Sequence, residues 1–175
     1  MGEVLTYSGE LSRAMRLLAH DPRTIFVGQS VRYDGQRMSQ TLSEVPMAQR
    51  VEMPVVEDVQ MGYCFGLALA GFVPISIYAR WDFLLLAANQ LVNHLDKKPD
   101  GWPGKVIIRV SVGSREPLDP GPQHRQNYTA AFRSMCQSIE FHELMEPDKI
   151  VPAYMRALRS PDSTVLVEHM GLYDA

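Results

Sequence analysis

The sequence predicts an α/β fold, a single parallel-sheet domain with helices on both faces. Short β-rich runs alternate with helical patterns along the chain, and strands separated by helices favour a parallel sheet. The 175 residues suffice for one domain with a substantial hydrophobic core. Because the last β-rich run lies only a few residues from Ala175, we expect one domain over residues 1–175 and no C-terminal domain.

The first half of the chain contains two predicted helices and two predicted strands. An amphipathic pattern predicts a short helix over residues 11–19, and β-branched and aromatic residues predict a strand over 24–28. Residues 32–53 are polar and lack a regular period, so we expect an irregular surface segment there. A helix over 57–70 follows, and then a strand over 72–78 with a proline near its start.

The second half continues the alternation, and its loops are marked by glycine and proline. In chain order we predict a helix over 83–95, a strand over 105–110, a loop over 111–122, a helix over 127–137, a strand over 139–144, a helix over 147–158 and a strand over 164–168.

Composition excludes several classes of function. A net charge of −3 gives no basic footprint for nucleic acid or an anionic membrane. No apolar run reaches the ~18 residues needed to span a bilayer. The opening residues 1–4 lack the features of a signal peptide, so we expect a cytoplasmic protein. Cys64 and Cys136 have no metal-ligand spacing, and we expect two reduced thiols.

The most informative segment begins at Glu57, an acidic residue at the head of an otherwise apolar and small helix. Gly62, Gly66 and Ala70 recur every four residues and therefore share one helical face, where another backbone could come close. Gly71 follows as a natural helix end. A carboxylate held at the edge of a tight helix contact is a candidate for proton chemistry.

Motifs of other enzyme classes are missing from the sequence. It contains no phosphate-binding P-loop, no dinucleotide-binding glycine pattern, no zinc-protease motif and no nucleophile elbow. His124 lies in a proline-rich loop after a strand, where ligands gather in parallel sheets. Spacing alone leaves His124 open between a site residue and an ordinary loop histidine.

Residues 54–97 resemble the pyrimidine-binding domain of the beta subunit of the 2-oxoacid dehydrogenases, a transketolase-like module. That subunit carries proline, two residues and a glutamate, then a glycine- and alanine-rich helix ending in Ala-Gly, as in Pro54 to Gly71 here. An aromatic segment and a helix with an Asp-Gln motif follow in the family, matched by residues 78–83 and by Asn89-Gln90. The Gln-His-x-Gln loop recurs at 123–126, and the closing strand ends in Glu168.

The resemblance implies an enzyme that uses thiamine diphosphate, bound between two domains. By resemblance Glu57 is the glutamate that shares a proton with N1′ of the aminopyrimidine and thereby activates the thiazolium C2 carbon. Phe83 falls where the family places an aromatic ring against the pyrimidine, and Tyr78 and Trp81 are neighbouring alternatives. His124 matches a loop histidine near the substrate.

The sequence also departs from the family. Gln29 replaces a carboxylate after the first strand, Asn89 replaces the aspartate of the Asp-Gln motif, and a basic Arg80 stands in the aromatic segment. The Gly-Asp-Gly and Asn-Asn pattern that holds the diphosphate and Mg²⁺ is missing. We therefore expect no metal ligands on this chain. A diphosphate-binding, alpha-like partner subunit would supply them, and we expect a heterotetramer or a homo-oligomer.

The sequence thus predicts one subunit of a two-component thiamine-diphosphate enzyme that acts on a 2-oxoacid or a ketol, as a dehydrogenase, decarboxylase or carboligase. The alternative is a non-catalytic assembly or regulatory subunit that keeps the fold. The lost carboxylate at Gln29 favours that alternative, whereas Glu57, Phe83 and His124 together oppose it.

Overall fold

The fold is a six-stranded parallel sheet with helices on both faces, as the sequence predicts. The computed structural model describes residues 5–99, 101–116 and 118–174. Residues 1–4, on which the expected cytoplasmic location rests, lie outside the described residues, and that location stays a prediction. No described helix is long and apolar enough to cross a membrane.

The strands and helices alternate along the chain. The strands are β1 (Thr24–Gly28), β2 (Arg50–Glu52), β3 (Val73–Tyr78), β4 (Ile107–Val112), β5 (Glu140–Glu143) and β6 (Thr164–His169). The α-helices are α1 (Tyr7–Ala19), α2 (Arg37–Gln40), α3 (Glu57–Leu69), α4 (Trp81–Leu86), α5 (Thr129–Met135) and α6 (Pro147–Arg159). The sheet order is β2-β1-β3-β4-β6-β5, and all five strand pairs of the described residues are parallel.

Two hydrophobic cores lie on opposite faces of the sheet. On one face α1 and α6 pack against alternate strand residues such as Phe26 and Ile75. On the other face α3, α4 and α5 pack against the intervening residues, including Val27 and Ile108. Successive strand residues point to opposite faces, and both faces are apolar. This explains why the strands appear in the sequence as nearly continuous hydrophobic runs.

The segment over 32–53 is more ordered than the sequence predicts. It contains α2, a 3₁₀ turn at Met47–Gln49 and the edge strand β2, which pairs with β1. The buried guanidinium of Arg50 donates to the carbonyl oxygens of Val45 (2.9 and 2.6 Å) and Val31 (3.3 Å), and it also contacts that of Leu42. This arginine therefore fastens the segment to the sheet, a role that a polar sequence pattern does not reveal.

The predicted helix over 83–95 is also corrected. Helix α4 begins two residues earlier, at Trp81, and a π-helical turn at Gln90–Leu95 follows after a break. Leu84, Ala87, Leu91 and Leu95 are all buried. Packing of this apolar face against the sheet accounts for a change of helical geometry that the periodic pattern does not record.

Candidate functional site

The candidate site lies at the carboxyl ends of β1, β3 and β4, which meet at one edge of the sheet because the strands are parallel. Gln29 follows β1, Tyr78 ends β3, and the 3₁₀ turn Gln123–Arg125 lies in the loop after β4. Ligands collect at this edge in open α/β sheets. The predicted residues Glu57, Phe83 and His124 belong to segments that converge here.

Glu57 is the first residue of α3 and is only 4% exposed. The side-chain amide of Gln29 donates a 3.1 Å hydrogen bond to Glu57 Oε1. The N-terminal end of a helix favours negative charge, so the helix and the amide together support a buried carboxylate. The helix begins at the residue that the sequence predicts, and Gly71 beyond its end adopts a φ of +89°.

Helix α3 is fastened to β3 directly below Glu57. Buried Gln60 donates to the Ile77 carbonyl oxygen at 3.0 Å and to Ser76 Oγ at 3.1 Å. The Tyr78 hydroxyl donates to the Glu57 carbonyl oxygen at 3.3 Å. Because these bonds tie the first turn of the helix to the sheet, the position of the Glu57 carboxylate is fixed by buried groups.

A cavity of about 140 Å³ lies beside Gln29, the residue that donates to the Glu57 carboxylate. Its lining includes Gln29, Ser30, Gln36, Tyr78 and Phe83. Ser30 has a φ of +58°, which non-glycine residues rarely adopt. Such backbone strain concentrates at ligand sites. The cavity therefore combines a strained wall, an aromatic ring and, through Gln29, contact with the buried acid.

The three predicted aromatic residues occupy different environments. Phe83 is half-buried and lines the cavity. Tyr78 also lines it, but its ring is 2% exposed, and burial raises the pKa of its hydroxyl well above the ordinary value. Trp81 is fully buried and packs against Phe132, with ring centroids 5.2 Å apart. Phe83 is thus the more exposed of the two aromatic rings that line the cavity.

His124 stands beside Phe83, with ring centroids 5.5 Å apart and an angle of 47° between the planes. Its Nδ1 lies 3.7 Å from Asp82 Oδ2. Both atoms are buried, and neither has a hydrogen-bond partner among the described residues. The structure therefore brings the predicted histidine to the predicted phenylalanine and adds a carboxylate, Asp82, that the sequence analysis did not single out.

Gly113 explains how the histidine loop reaches this position. A Cβ added to Gly113 would lie 2.1 Å from the His124 carbonyl oxygen, so any side chain would push the loop away. The sequence predicts only a plain loop at Gly113. The sequence feature that could have identified Gly113 is a glycine directly after a strand, at the edge of the sheet where ligands bind.

The small-residue face of α3 is open within the chain. Gly62, Gly66 and Ala70 are exposed, and a Cβ added to Gly62 or Gly66 would meet nothing within 4 Å. Val59, Tyr63 and other apolar side chains of this helix are also exposed. The expected tight helix contact is therefore not made inside the described chain, and a contact between subunits stays a prediction.

The described residues contain no group of three or more His, Cys, Asp or Glu side chains suited to a metal ion.

The chain is similar in sequence to several known proteins. No protein-family model matches the chain. Over 176 residues it is 32% identical to the 3-methyl-2-oxobutanoate dehydrogenase subunit beta of Mycobacterium tuberculosis, covering 97% of this chain and 50% of that protein. The chain is related to the beta subunits of the 2-oxoacid dehydrogenases. The mitochondrial pyruvate dehydrogenase E1 beta subunit of Drosophila melanogaster is 26% identical over 161 residues, which cover 89% of this chain and 44% of that one.

This beta-subunit relative also shares its fold with a solved structure described as a split gene transketolase, inactive beta4 tetramer. The TM-score is 0.74 at 13% identity, over 95% of this chain and 52% of that one. At that identity the match concerns the fold alone. The chain spans about half the length of the relatives it matches.

Proposed function

We propose that this beta-subunit relative is the pyrimidine-binding subunit of a two-component thiamine-diphosphate enzyme acting on a 2-oxoacid or a ketol. One observation carries the proposal: Glu57, a buried carboxylate at the start of a helix, accepts a hydrogen bond from Gln29, and Gln29 and Phe83 line the same cavity at the carboxyl edge of the sheet. The relatives described as pyruvate and 3-methyl-2-oxobutanoate dehydrogenase beta subunits support the reaction class.

The residues fit the pyrimidine half of the cofactor. An aminopyrimidine needs a carboxylate for its ring nitrogen and an apolar surface for its face. Glu57 offers the first and Phe83 the second. When bound, thiamine diphosphate supplies a nucleophilic carbon for attack on a carbonyl group. The diphosphate and its Mg²⁺ would be held by the partner subunit, because the Gly-Asp-Gly and Asn-Asn pattern that binds them in the family is missing from this sequence.

This chain's own residues would then have separate tasks. Glu57 would hold a proton at the pyrimidine ring nitrogen, supported by the Gln29 amide. Phe83 would orient the ring and exclude water from one face. His124, 3.7 Å from Asp82, would present a polar group to the reacting oxygen. All three tasks depend on residues that lie close together at the carboxyl ends of β1, β3 and β4.

Reconstitution tests the proposal. The chain should form a stable complex with a diphosphate-binding subunit that carries Gly-Asp-Gly and Asn-Asn, sought first in a neighbouring reading frame. The complex should consume a 2-oxoacid or ketol only when thiamine diphosphate and Mg²⁺ are both present. A complex that forms but shows no cofactor-dependent turnover with a panel of 2-oxoacids and ketols would contradict the proposal.

A second candidate is a non-catalytic assembly subunit. Gln29 favours it, since the amide replaces a carboxylate of the family and occupies Glu57 Oε1. The exposed small-residue face of α3 would serve this function equally well. One measurement distinguishes the two candidates. Glu57→Gln should lower turnover by ~10²-fold or more in the first and change only local packing in the second.

A further inference from the structure

The guanidinium of Arg80 is held in a fixed position between β3 and α4. Its Nη1 donates to the Ala79 carbonyl oxygen at 2.5 Å and to Ser111 Oγ at 3.1 Å. The Ser111 hydroxyl itself donates to the Ala79 carbonyl oxygen at 2.5 Å. These contacts fix the side chain across the carboxyl ends of β3 and β4, on the same edge as Phe83 and His124.

The other edge of the guanidinium, formed by Nε and Nη2, makes no hydrogen bond to any described residue. These two N–H groups lie side by side and match the two oxygens of a carboxylate. Nε lies beside Gly113, since a Cβ added to Gly113 would be 3.3 Å from it. The chain therefore holds one edge of the guanidinium and leaves the bidentate edge available.

Arg80 also lacks a carboxylate partner within ion-pair distance among residues 5–99, 101–116 and 118–174. Burial lowers the pKa of its guanidinium, and Tyr173 and Asp82 oppose this from a greater distance. Fully buried Arg109 pairs with Glu168 at 2.6 Å, and partly exposed Arg37 pairs with Asp174 at 2.6 Å. Buried Arg50 has no carboxylate partner among the described residues, but its guanidinium nitrogens donate to carbonyl oxygens. A partly desolvated charge is costly without a counter-charge, and a ligand anion would supply one.

A second cavity, of about 310 Å³, opens onto Arg80. Gln36 lines both this cavity and the one beside Glu57, so the two are neighbours. Arg37 and Ser114 add polar groups to the lining, and Glu116 is the acidic residue among its described members. Since Glu116 is exposed and makes no ion pair with Arg80, the half-buried guanidinium dominates the charge at this wall.

We propose that Arg80 binds the carboxylate of the substrate and so selects a 2-oxoacid over an uncharged ketone. This inference rests on the proposed function and deepens it. A bidentate Nε–Nη2 edge suits a carboxylate or a phosphate, and the 2-oxoacid of the proposed function carries a carboxylate. The proposal thereby gives a role to Arg80, a basic residue at which the chain departs from the family's aromatic segment.

Nuclear magnetic resonance of the full chain tests the site without the partner. The ¹⁵N–¹H signal of Arg80 Nε, assigned by its loss in Arg80→Lys, should shift saturably with pyruvate and remain unchanged with uncharged methyl pyruvate. The exposed Arg32 serves as a control, and Arg32→Gln should leave the pyruvate response intact. No shift with pyruvate, or equal shifts with its ester, would overturn the proposal, and tighter binding of inorganic phosphate would overturn the choice of a carboxylate.

A kinetic measurement on the reconstituted pair separates this inference from the proposed function. Arg80→Gln should lower kcat/KM for the 2-oxoacid by ~10-fold or more, because a charge-assisted hydrogen bond is lost. An unchanged kcat/KM in an active pair would reject the role of Arg80 and leave the proposed function standing. A pyruvate-dependent shift in a chain whose pair is inactive would reject the proposed function and leave the anion site standing.

Discussion

The Gln29 side-chain amide donates to Glu57 Oε1 at 3.1 Å, joining the end of β1 to the start of α3. Glu57, on which catalysis would depend, therefore accepts a hydrogen bond from an uncharged side chain. The sequence comparison led us to expect only that a carboxylate was lost at this position. The structure shows what replaces it, namely an N–H group directed at the acid.

Replacing that donor by an acid should destabilise the fold at neutral pH. In Gln29→Glu two carboxylates would meet in a largely buried site, and we expect a loss of ~1–3 kcal/mol in the free energy of unfolding. The like charge raises the pKa of the introduced group in the folded state. The loss is therefore present above the ordinary carboxyl pKa and disappears as the pH falls below it.

Urea unfolding at pH 7 and pH 4 measures this difference. Gln40→Glu places the same charge on an exposed residue at the end of α2 and should change stability little. Equal changes in the free energy of unfolding at pH 7 for the two substitutions would show that charge at position 29 does not act on Glu57.

Glu57→Gln should disable catalysis in the reconstituted pair while preserving assembly. The amide has the size of the acid but cannot share a proton in the same way, so turnover should fall by ~10²-fold or more. Hydrogen–deuterium exchange at C2 of the bound cofactor is the direct measurement. Exchange as fast as in the wild type would remove Glu57 from the mechanism and favour the assembly function. Asp58→Asn, an exposed neighbour in the same helical turn, is the matched control.

The isolated chain should bind thiamine diphosphate weakly. It offers a carboxylate and a ring to the pyrimidine, but the described residues hold no cluster of acidic ligands for Mg²⁺ at the diphosphate. Calorimetry with thiamine diphosphate and Mg²⁺ should give little heat until the partner subunit is added. Stoichiometric, tight binding by the chain alone would refute the division of the cofactor site between two subunits.

Gly66→Leu should separate the stability of the chain from its assembly. A side chain at Gly66 meets nothing within 4 Å in the chain, and replacing a mid-helix glycine removes a backbone penalty of ~0.5–1 kcal/mol. The isolated subunit should therefore fold at least as well as the wild type. If α3 packs against another subunit, overpacking should weaken that contact by ~1–3 kcal/mol.

Sedimentation velocity and thermal melting together measure both effects. Ala130→Leu adds a leucine to the exposed surface of α5 and should leave the oligomer unchanged. An unchanged oligomer size in Gly66→Leu would show that the small-residue face of α3 is not a subunit contact.

Arg109→Met should be strongly destabilising. Arg109 and Glu168 are both fully buried, joined at 2.6 and 2.9 Å, and the hydroxyls of Tyr154 and Tyr173 also donate to Glu168. Removing the arginine leaves a buried carboxylate without its counter-charge, a loss of ~3–5 kcal/mol. Arg37→Met breaks a partly exposed pair with Asp174 and should cost ~1 kcal/mol or less. Similar losses in both variants by urea unfolding would contradict the electrostatic role of the buried pair.

The sequence predicts the sheet well because most of its strands are apolar on both faces. The strand over 24–28 and the start of α3 at Glu57 agree with the structure. The three-residue strand β2 is missed because its order depends on pairing with β1 and on Arg50, neither of which leaves a periodic pattern. The break before the π-helical turn is missed for a similar reason, since packing sets the local geometry.

The candidate site is predicted only as far as the family resemblance reaches. Glu57, Phe83 and His124 come to one edge of the sheet. The sequence marks Gln29 and Arg80 only as departures from the family and does not mark Asp82, and the contacts of these three side chains are seen only in the structure. Each of these neighbours follows a strand or begins a helix. The sequence marks such positions as candidates, and only the fold shows which side chains meet.

The parallel order of the sheet has a consequence for how the chain folds. No pair of neighbouring strands among the described residues can form as a hairpin, because each pairing requires a crossover through at least one intervening segment. Long loops must therefore close, at a cost in chain entropy, before the strands can form hydrogen bonds with each other. This slows folding and prolongs the exposure of apolar strands to solvent. We expect refolding from urea to be slow and concentration-sensitive, with higher yields when synthesis is coupled to a partner that covers α3 as it emerges.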